Sequence, residues 1–188
     1  MGASDDDPGI IDAARQGDRV AWEQLYRGIY PRLRSFFVRR LGYEHAEDAV
    51  NETMARAIAA IGRYTPGASG FDGWVFGIAR HVSADHYRRA ARERRQPAVA
   101  HLVDGQGPQG PSMVDERLES EEEHERLRAM FARLGPSEQE ILELRVIAGL
   151  SADEVASVLH RTPGAVRTSQ SRALAHLRRL MESAHVGS

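Results

Sequence analysis

Residues 151–167 read Ser151-Ala-Asp-Glu-Val-Ala-Ser-Val-Leu-His160-Arg-Thr-Pro-Gly-Ala-Val-Arg167, and this stretch decides the fold. Ser151 with Glu154 three residues later is a capping box, in which each side chain satisfies a backbone N–H that a helix start leaves free. Thr162-Pro163 then restarts a helix, because the hydroxyl can cap it and proline fits the first helical position, where no N–H is needed. Only a short helix fits before His160, whereas the second can run to about Met181. Short helix, tight turn and longer helix make helix-turn-helix geometry, with Ala156 small at the crossing and Val155, Leu159, Val166 and Leu174 available to pack. From Ala156 to Met181 there is no acidic residue, while Arg161, Arg167, Arg172, Arg178 and Arg179 are all present. Protein surfaces ordinarily intersperse both signs, so this helix is expected to touch DNA.

Outward from that motif the chain stays helical. Upstream, Leu127, Met130, Phe131 and Leu134 space one helix before the Gly135-Pro136 break, and Ser137 is expected to cap another carrying Ile141, Leu142 and Val146 to near Gly149. In the amino-terminal half, Asp18 can cap a helix with Trp22, Leu25, Tyr26, Ile29, Leu33, Phe36, Phe37 and Leu41 on one face, kinked at Pro31. Ala46, Ala49, Val50, Thr53, Met54, Ala57, Ile58 and Ile61 repeat the three-and-four spacing most cleanly, with Glu47, Asp48, Asn51, Glu52 and Arg56 opposite. After the loop from Tyr64 to Gly70, Asp72 is expected to cap a further helix whose inward residues are Trp74, Val75, Ile78, Ala79 and Val82. Pro97 to Ser112 is rich in Pro and Gly and lacks periodicity, as a flexible linker would be. The expected architecture is therefore all-α: two small helical domains joined by a flexible acidic linker, with the helix-turn-helix in the second.

Composition narrows the function. With 41% hydrophobic and 28% charged residues among 188, the chain is neither a disordered nor a membrane class, and no run approaches the roughly 18 apolar residues of a membrane span. Asp5, Asp6 and Asp7 stand where a signal peptide would be positive, which predicts a cytoplasmic protein without membrane insertion. Absence of cysteine excludes disulfides, thiolate zinc sites and cysteine nucleophiles. The eight His show no paired ligand spacing such as H-E-x-x-H, so no metal and no cofactor are expected. No Gly-rich phosphate loop and no G-x-S-x-G is present, so no catalytic residue is assigned and the protein is not read as an enzyme. Every one of its 25 basic residues is Arg. Residues 10–95 carry net +5 and residues 96–122 net −5, so an acidic connector follows a mildly basic block.

Two separated signatures carry a resemblance. The first is Ala46-Glu-Asp-Ala-Val-Asn-Glu-Thr-Met54 with Phe71-Asp-Gly-Trp74-Val-Phe-Gly-Ile-Ala-Arg80 and Asp85-His-Tyr-Arg-Arg89. The second is Leu134-Gly-Pro-Ser-Glu-Gln-Glu-Ile-Leu-Glu-Leu-Arg145 with Gly149-Leu-Ser and Thr162-Pro-Gly-Ala-Val-Arg167. In order, across a short linker, they resemble the second and fourth conserved regions of bacterial sigma factors of the extracytoplasmic-function type, group IV of the sigma-70 family. The resemblance implies a region 2 domain over residues 10–95, a linker over 96–115 and a region 4 domain over 116–182. It also implies partners: core RNA polymerase, promoter DNA both duplex and melted, and room for an anti-sigma factor.

Residue by residue, the resemblance assigns polymerase binding to Asp48, Asn51, Glu52 and Arg56. It assigns the minus-ten element to Tyr64, Phe71, Trp74, Arg80, His81, His86, Arg88 and Arg89, where aromatic faces would stack on flipped bases and Arg would hold phosphates. Phe71 and Trp74, at their spacing, read more readily as core residues. The minus-thirty-five element falls to Arg161, Thr162, Gly164, Arg167, Thr168, Ser171 and Arg172 on a helix entering the major groove. Ser169 and Gln170 depart from the family pattern, as does His160 in the turn where Gly is usual; His visits left-handed conformations more readily than branched residues do. The rival reading is a two-domain helix-turn-helix regulator that binds DNA without being a polymerase subunit.

Overall fold

A computed structural model describes residues 8–93 and 129–185; the linker, residues 116–128 and the extreme termini lie outside them. All regular structure among the described residues is helical, as the periodicity predicts. Helix α1 spans Pro8–Arg15, α2 Arg19–Leu41, α3 Tyr43–Ala60 with a 3-10 turn Ile61–Arg63, and α4 Gly70–Glu93. Residues 129–132 are helical. Then follow α5 Pro136–Leu142, which runs on as a π-turn Glu143–Ile147, α6 Ala152–Leu159 and α7 Pro163–His185.

Local chemistry sets these boundaries. The Asp18 carboxylate accepts the Val20 N–H at 2.8 Å and starts α2, which continues through the exposed Pro31 to Leu41. Gly42, at φ 84°, turns the chain between α2 and α3 in a conformation that L side chains avoid. Two caps differ from expectation. Helix α4 begins at Gly70, so Asp72 sits in its first turn, where a carboxylate suits the positive helix end, and it accepts from Arg32 of α2. Helix α5 begins at Pro136, and Glu138 rather than Ser137 closes its start, accepting the Gly135 N–H at 2.9 Å.

Helices α2, α3 and α4 pack around Phe36, Phe37, Phe76, Leu25, Ile29, Leu33, Val50 and Val75, all fully buried. Phe36 lies edge-on to both Phe37 and Phe76, with centroids at 5.3 and 5.6 Å, the geometry that the ring quadrupoles favour. In the carboxy-terminal unit Val155, Ala156 and Val166 are inside as expected. Val146 is not: it is 60% exposed. The Ala148 N–H bonds to Glu143 O, five residues back, and this widened turn rotates Val146 out of the face that a regular helix would bury. Leu174 is also exposed, at 45%.

Independent domains on a tether are the expectation; the two units are in fact docked. Ile141, Leu144, Ala148, Leu150, Val155 and Val158 belong to the same apolar core as Phe36 and Val75. Helix α6 lies on α4, and the π-turn on α2. A Cβ at Gly73 would stand 3.0 Å from the Cβ of Ser69 in its own unit and 3.4 Å from that of Glu154 on α6.

Candidate nucleic-acid interface

The turn into α7 is built from hydrogen bonds local in sequence. His160 adopts φ 52°, ψ 47°, the left-handed residue of a Schellman ending: its N–H bonds to Ser157 O at 3.3 Å and the Arg161 N–H to Ala156 O at 2.8 Å. Thr162 Oγ1 accepts the Ala165 N–H at 3.2 Å, and Pro163 opens α7. The capping box is present too, with Glu154 N–H donating to Ser151 Oγ at 3.2 Å and Ser151 N–H to the Glu154 carboxylate at 2.5 Å. Val166, Ala173 and Leu180 are buried at seven-residue intervals and define the inward side of α7. At 3.6 residues per turn, Gly164, Thr168 and Ser171 stand about 140–180° from it, with Arg167 and Arg172 flanking them. All five are exposed, as are Arg161 and Thr162. The structure therefore brings the α7 members of the set proposed for the minus-thirty-five element to one side of the helix, with Arg161 and Thr162 exposed just before it. Gln170 instead accepts from Arg145 Nε at 2.8 Å, and His176 meets Glu138 at 3.0 Å across to α5.

The polar face of α3 separates into two parts. Asp48 and Asn51 are exposed. Glu52 is enclosed by Arg56 at 2.6 Å, Arg89 at 3.4 Å and His86 Nε2 at 3.4 Å. Burial pushes its carboxyl up, but the Arg56 hydrogen bond and the charges of Arg56, Arg89 and His86 outweigh it and hold it below the usual range. Arg56 also reaches Asp85 at 2.8 Å. Hydrogen bonds from Arg56 and then Arg88 keep the Asp85 carboxyl down at about 2. Thus Glu52, Arg56, His86, Arg88 and Arg89 form one network tying α3 to α4.

The aromatic residues proposed as stacking faces are elsewhere. Tyr64 is 3% exposed and Phe71 fully buried, packed with the half-buried Trp74 at centroid distances of 5.1 to 6.0 Å. Arg15 covers the Tyr64 ring and donates to its carbonyl. In this arrangement Tyr64 and Phe71 offer no face to a base, because Phe71, Trp74 and Val75 sit on the inward side of α4 and Tyr64 closes over them. His81 is exposed, its Nδ1 2.8 Å from Gly77 O. Arg80 faces the carboxy-terminal unit, with its Nε 2.9 Å from the Glu140 carboxylate and NH1 3.1 Å from Val158 O. The residues that join the units, Arg32, Arg40, Glu140 and Glu143, carry no signal in the local pattern, since each meets its partner 40 or more positions away. Among the described residues no group of three or more His and carboxylate side chains could hold a metal ion, and no helix is long and apolar enough to cross a membrane.

Comparison with known proteins agrees with this division. Residues 25–93 match the Sigma-70 region 2 family and residues 124–177 the Sigma-70 region 4 family. The chain is 34% identical to the ECF RNA polymerase sigma factor SigD of Mycobacterium tuberculosis, over 90% of this chain and 81% of that protein. It is 31% identical to ShbA of Streptomyces griseus, over 92% and 94%. To BldN of Streptomyces coelicolor it is 33% identical, over 92% of this chain but 64% of that longer protein. In fold it is similar to CnrH, solved with the cytosolic domain of CnrY, at a TM-score of 0.68 and 23% identity over 95% of this chain and 98% of that one. It is likewise similar to RpoE of Bartonella quintana, solved with the anti-sigma factor NepR, at 0.61 and 22% over 85% and 96%. With an all-α two-unit fold, a helix-turn-helix whose outer face is free of acids, and relatives at least 30% identical matched over most of their length, the chain belongs to the ECF sigma factors of the sigma-70 family, which bind core RNA polymerase and direct it to promoter DNA.

Proposed function

We propose that this sigma factor is of the group IV, two-region type, with region 2 over residues 10–95 and region 4 over 116–182 joined by a linker over 96–115. It works in the cytoplasm as an initiation factor, with no catalytic step of its own. Region 4 reads the minus-thirty-five element through α7: Arg167 or Arg172 grips a base edge, Gly164 lets the backbone approach, and Arg161, Thr162, Thr168 and Ser171 hold phosphates and the groove wall. Asp48 and Asn51 present the face for core polymerase, and Glu52 with Arg56 keeps that face in place. His81, Arg88 and Arg89 line the minus-ten side of α4, with His86 behind them and Tyr64, Phe71 and Trp74 supporting the loop from within. Arg80 joins this set once it leaves Glu140. RpoE of Bartonella quintana, solved with the anti-sigma factor NepR, supports such a protein as a further partner.

One observation carries the reading: an exposed stripe on α7 from Gly164 to Arg172 with arginines on both flanks and no acid among residues 155–181. Run-off transcription from a genomic fragment library, with core polymerase and with or without this protein, tests it. New start sites on fragments that share two spaced elements are expected. Unchanged start sites, together with specific nanomolar DNA binding by the free protein, would establish the regulator instead.

A further inference from the structure

From the corner between α1 and α2 we infer that α1 braces the loop over residues 64–70 and that Arg15 is a positioning residue for capture of the melted strand. Its guanidinium fixes the start of the loop, so that the exposed residues 65–68 meet unpaired bases already in shape. The inference rests on the minus-ten reading above. Helix α1 lies ahead of residues 25–93, the stretch matched to region 2, so that match assigns it no role.

Local chemistry makes the corner rigid. Helix α1 ends in a Schellman turn: Gly17 takes φ 85°, its N–H bonds to Ala14 O at 3.1 Å, and the Asp18 N–H bonds to Ala13 O at 3.0 Å. Asp18 is also the N-cap of α2, so one residue ends the first helix and starts the second. The Trp22 indole N–H donates to Ala14 O at 2.9 Å, and Ile11 and Ala14 are buried in the core. Arg15 therefore leaves α1 in a set direction. Its Nη1 is held by the Asp12 carboxylate at 2.8 Å, one turn back. Its Nη2 donates to the Tyr64 carbonyl, and the guanidinium carbon stands 5.8 Å from the centre of the Tyr64 ring.

What Arg15 holds is the near end of the loop. Tyr64 follows the 3-10 turn, its N–H bonded to Ile61 O at 3.1 Å. At the far end the Gly70 N–H meets Gly67 O at 3.0 Å, and Phe71 is buried. Between these anchors residues 65–68 are all exposed. A loop that must become ordered on binding forfeits affinity to that ordering, and fixing its ends beforehand recovers it. Arg15 and Asp12 thus act through Tyr64 and need not touch DNA.

Holoenzyme binding separates a brace from a direct DNA contact and from a general loss of fold. The probes are a single-stranded oligonucleotide with the minus-ten sequence of a promoter from the fragment library, a scrambled strand, and a duplex of that promoter's minus-thirty-five element. Arg15→Gln should weaken binding of the minus-ten strand roughly tenfold, the worth of a hydrogen bond to a charged group. The minus-thirty-five duplex and core polymerase should bind as in wild type, whereas a general loss of fold would lower all three. The slope of log affinity against log salt should not change, while loss of a phosphate contact on a single strand would flatten it by about 0.7. Asp12→Asn gives opposite signs for the two roles. It frees Arg15 and adds net positive charge, so a DNA-contacting Arg15 would bind the strand more tightly and a loosened brace about twofold more weakly. Wild-type affinity for the minus-ten strand in Arg15→Gln, an equal loss on all three partners, a flattened slope, or tighter binding by Asp12→Asn overturns the brace alone. A wild-type holoenzyme that does not distinguish the minus-ten strand from the scrambled one overturns the minus-ten reading, and the brace with it.

Discussion

Truncating arginines along α7 separates base reading from charge attraction. Helix α7 rises about 1.5 Å per residue, so Gly164 to Arg172 covers about 12 Å of axis, the width of the major groove. Arg178 lies about 22 Å from Pro163, beyond the groove edge, although it too is exposed. Arg167→Ala or Arg172→Ala should therefore remove a bidentate base contact worth about 1–3 kcal/mol, a 5–150-fold loss in affinity, and relax preference at a single position of the minus-thirty-five element. Arg178→Ala and Arg179→Ala should instead each lower the slope of log affinity against log salt by about 0.9, with every sequence weakened alike. Fluorescence anisotropy of holoenzyme on duplexes carrying each single-base change, repeated between about 50 and 200 mM salt, reads both quantities. A change of sequence preference in Arg178→Ala, with none in Arg167→Ala or Arg172→Ala, would refute the orientation, because the far end of the helix would then occupy the groove.

Three further outcomes are expected. Asp48→Arg should weaken core polymerase binding while leaving the melting temperature unchanged, whereas Glu52→Ala should destabilise region 2 by about 1 kcal/mol through loss of charged hydrogen bonds; pull-down with core and thermal melts distinguish the two, and equal melting losses would show Asp48 to be structural. His160→Gly relieves a left-handed residue that costs about 1–2 kcal/mol and returns about 0.5–1 kcal/mol through the freer unfolded chain, so calorimetry should show a melting temperature higher by a few degrees, and a lower one contradicts the strain. The Asp85 carboxyl, held at about 2 in the fold against about 3.9 unfolded, contributes stability that is complete above the unfolded value and lost as pH falls toward 2; Asp85→Asn should flatten that acid limb in urea titrations, and an unaltered limb would mean that the Arg56 pairing is unimportant.

What was legible in the sequence was local. The Ser151–Glu154 box, the Asp18 cap, the Thr162-Pro163 helix start and the left-handed His160 each depend on residues within a few positions of one another, and so does the apolar periodicity that defines α2, α3 and α7. The outward set on α7 came from the family resemblance, and a regular helix, which converts spacing directly into direction, brings it to one side. Tertiary structure alone decided the rest. Tyr64 and Phe71 lie inside because Arg15, Trp74 and the inward side of α4 close around them. Arg80 answers Glu140 rather than a phosphate because α6 packs on α4 and brings the carboxy-terminal unit against it. Val146 turns outward because one backbone hydrogen bond spans five residues instead of four. Each of these outcomes depends on a contact between segments far apart in the chain, or on a local change of helical pitch, and a residue's own neighbours in sequence carry no record of either.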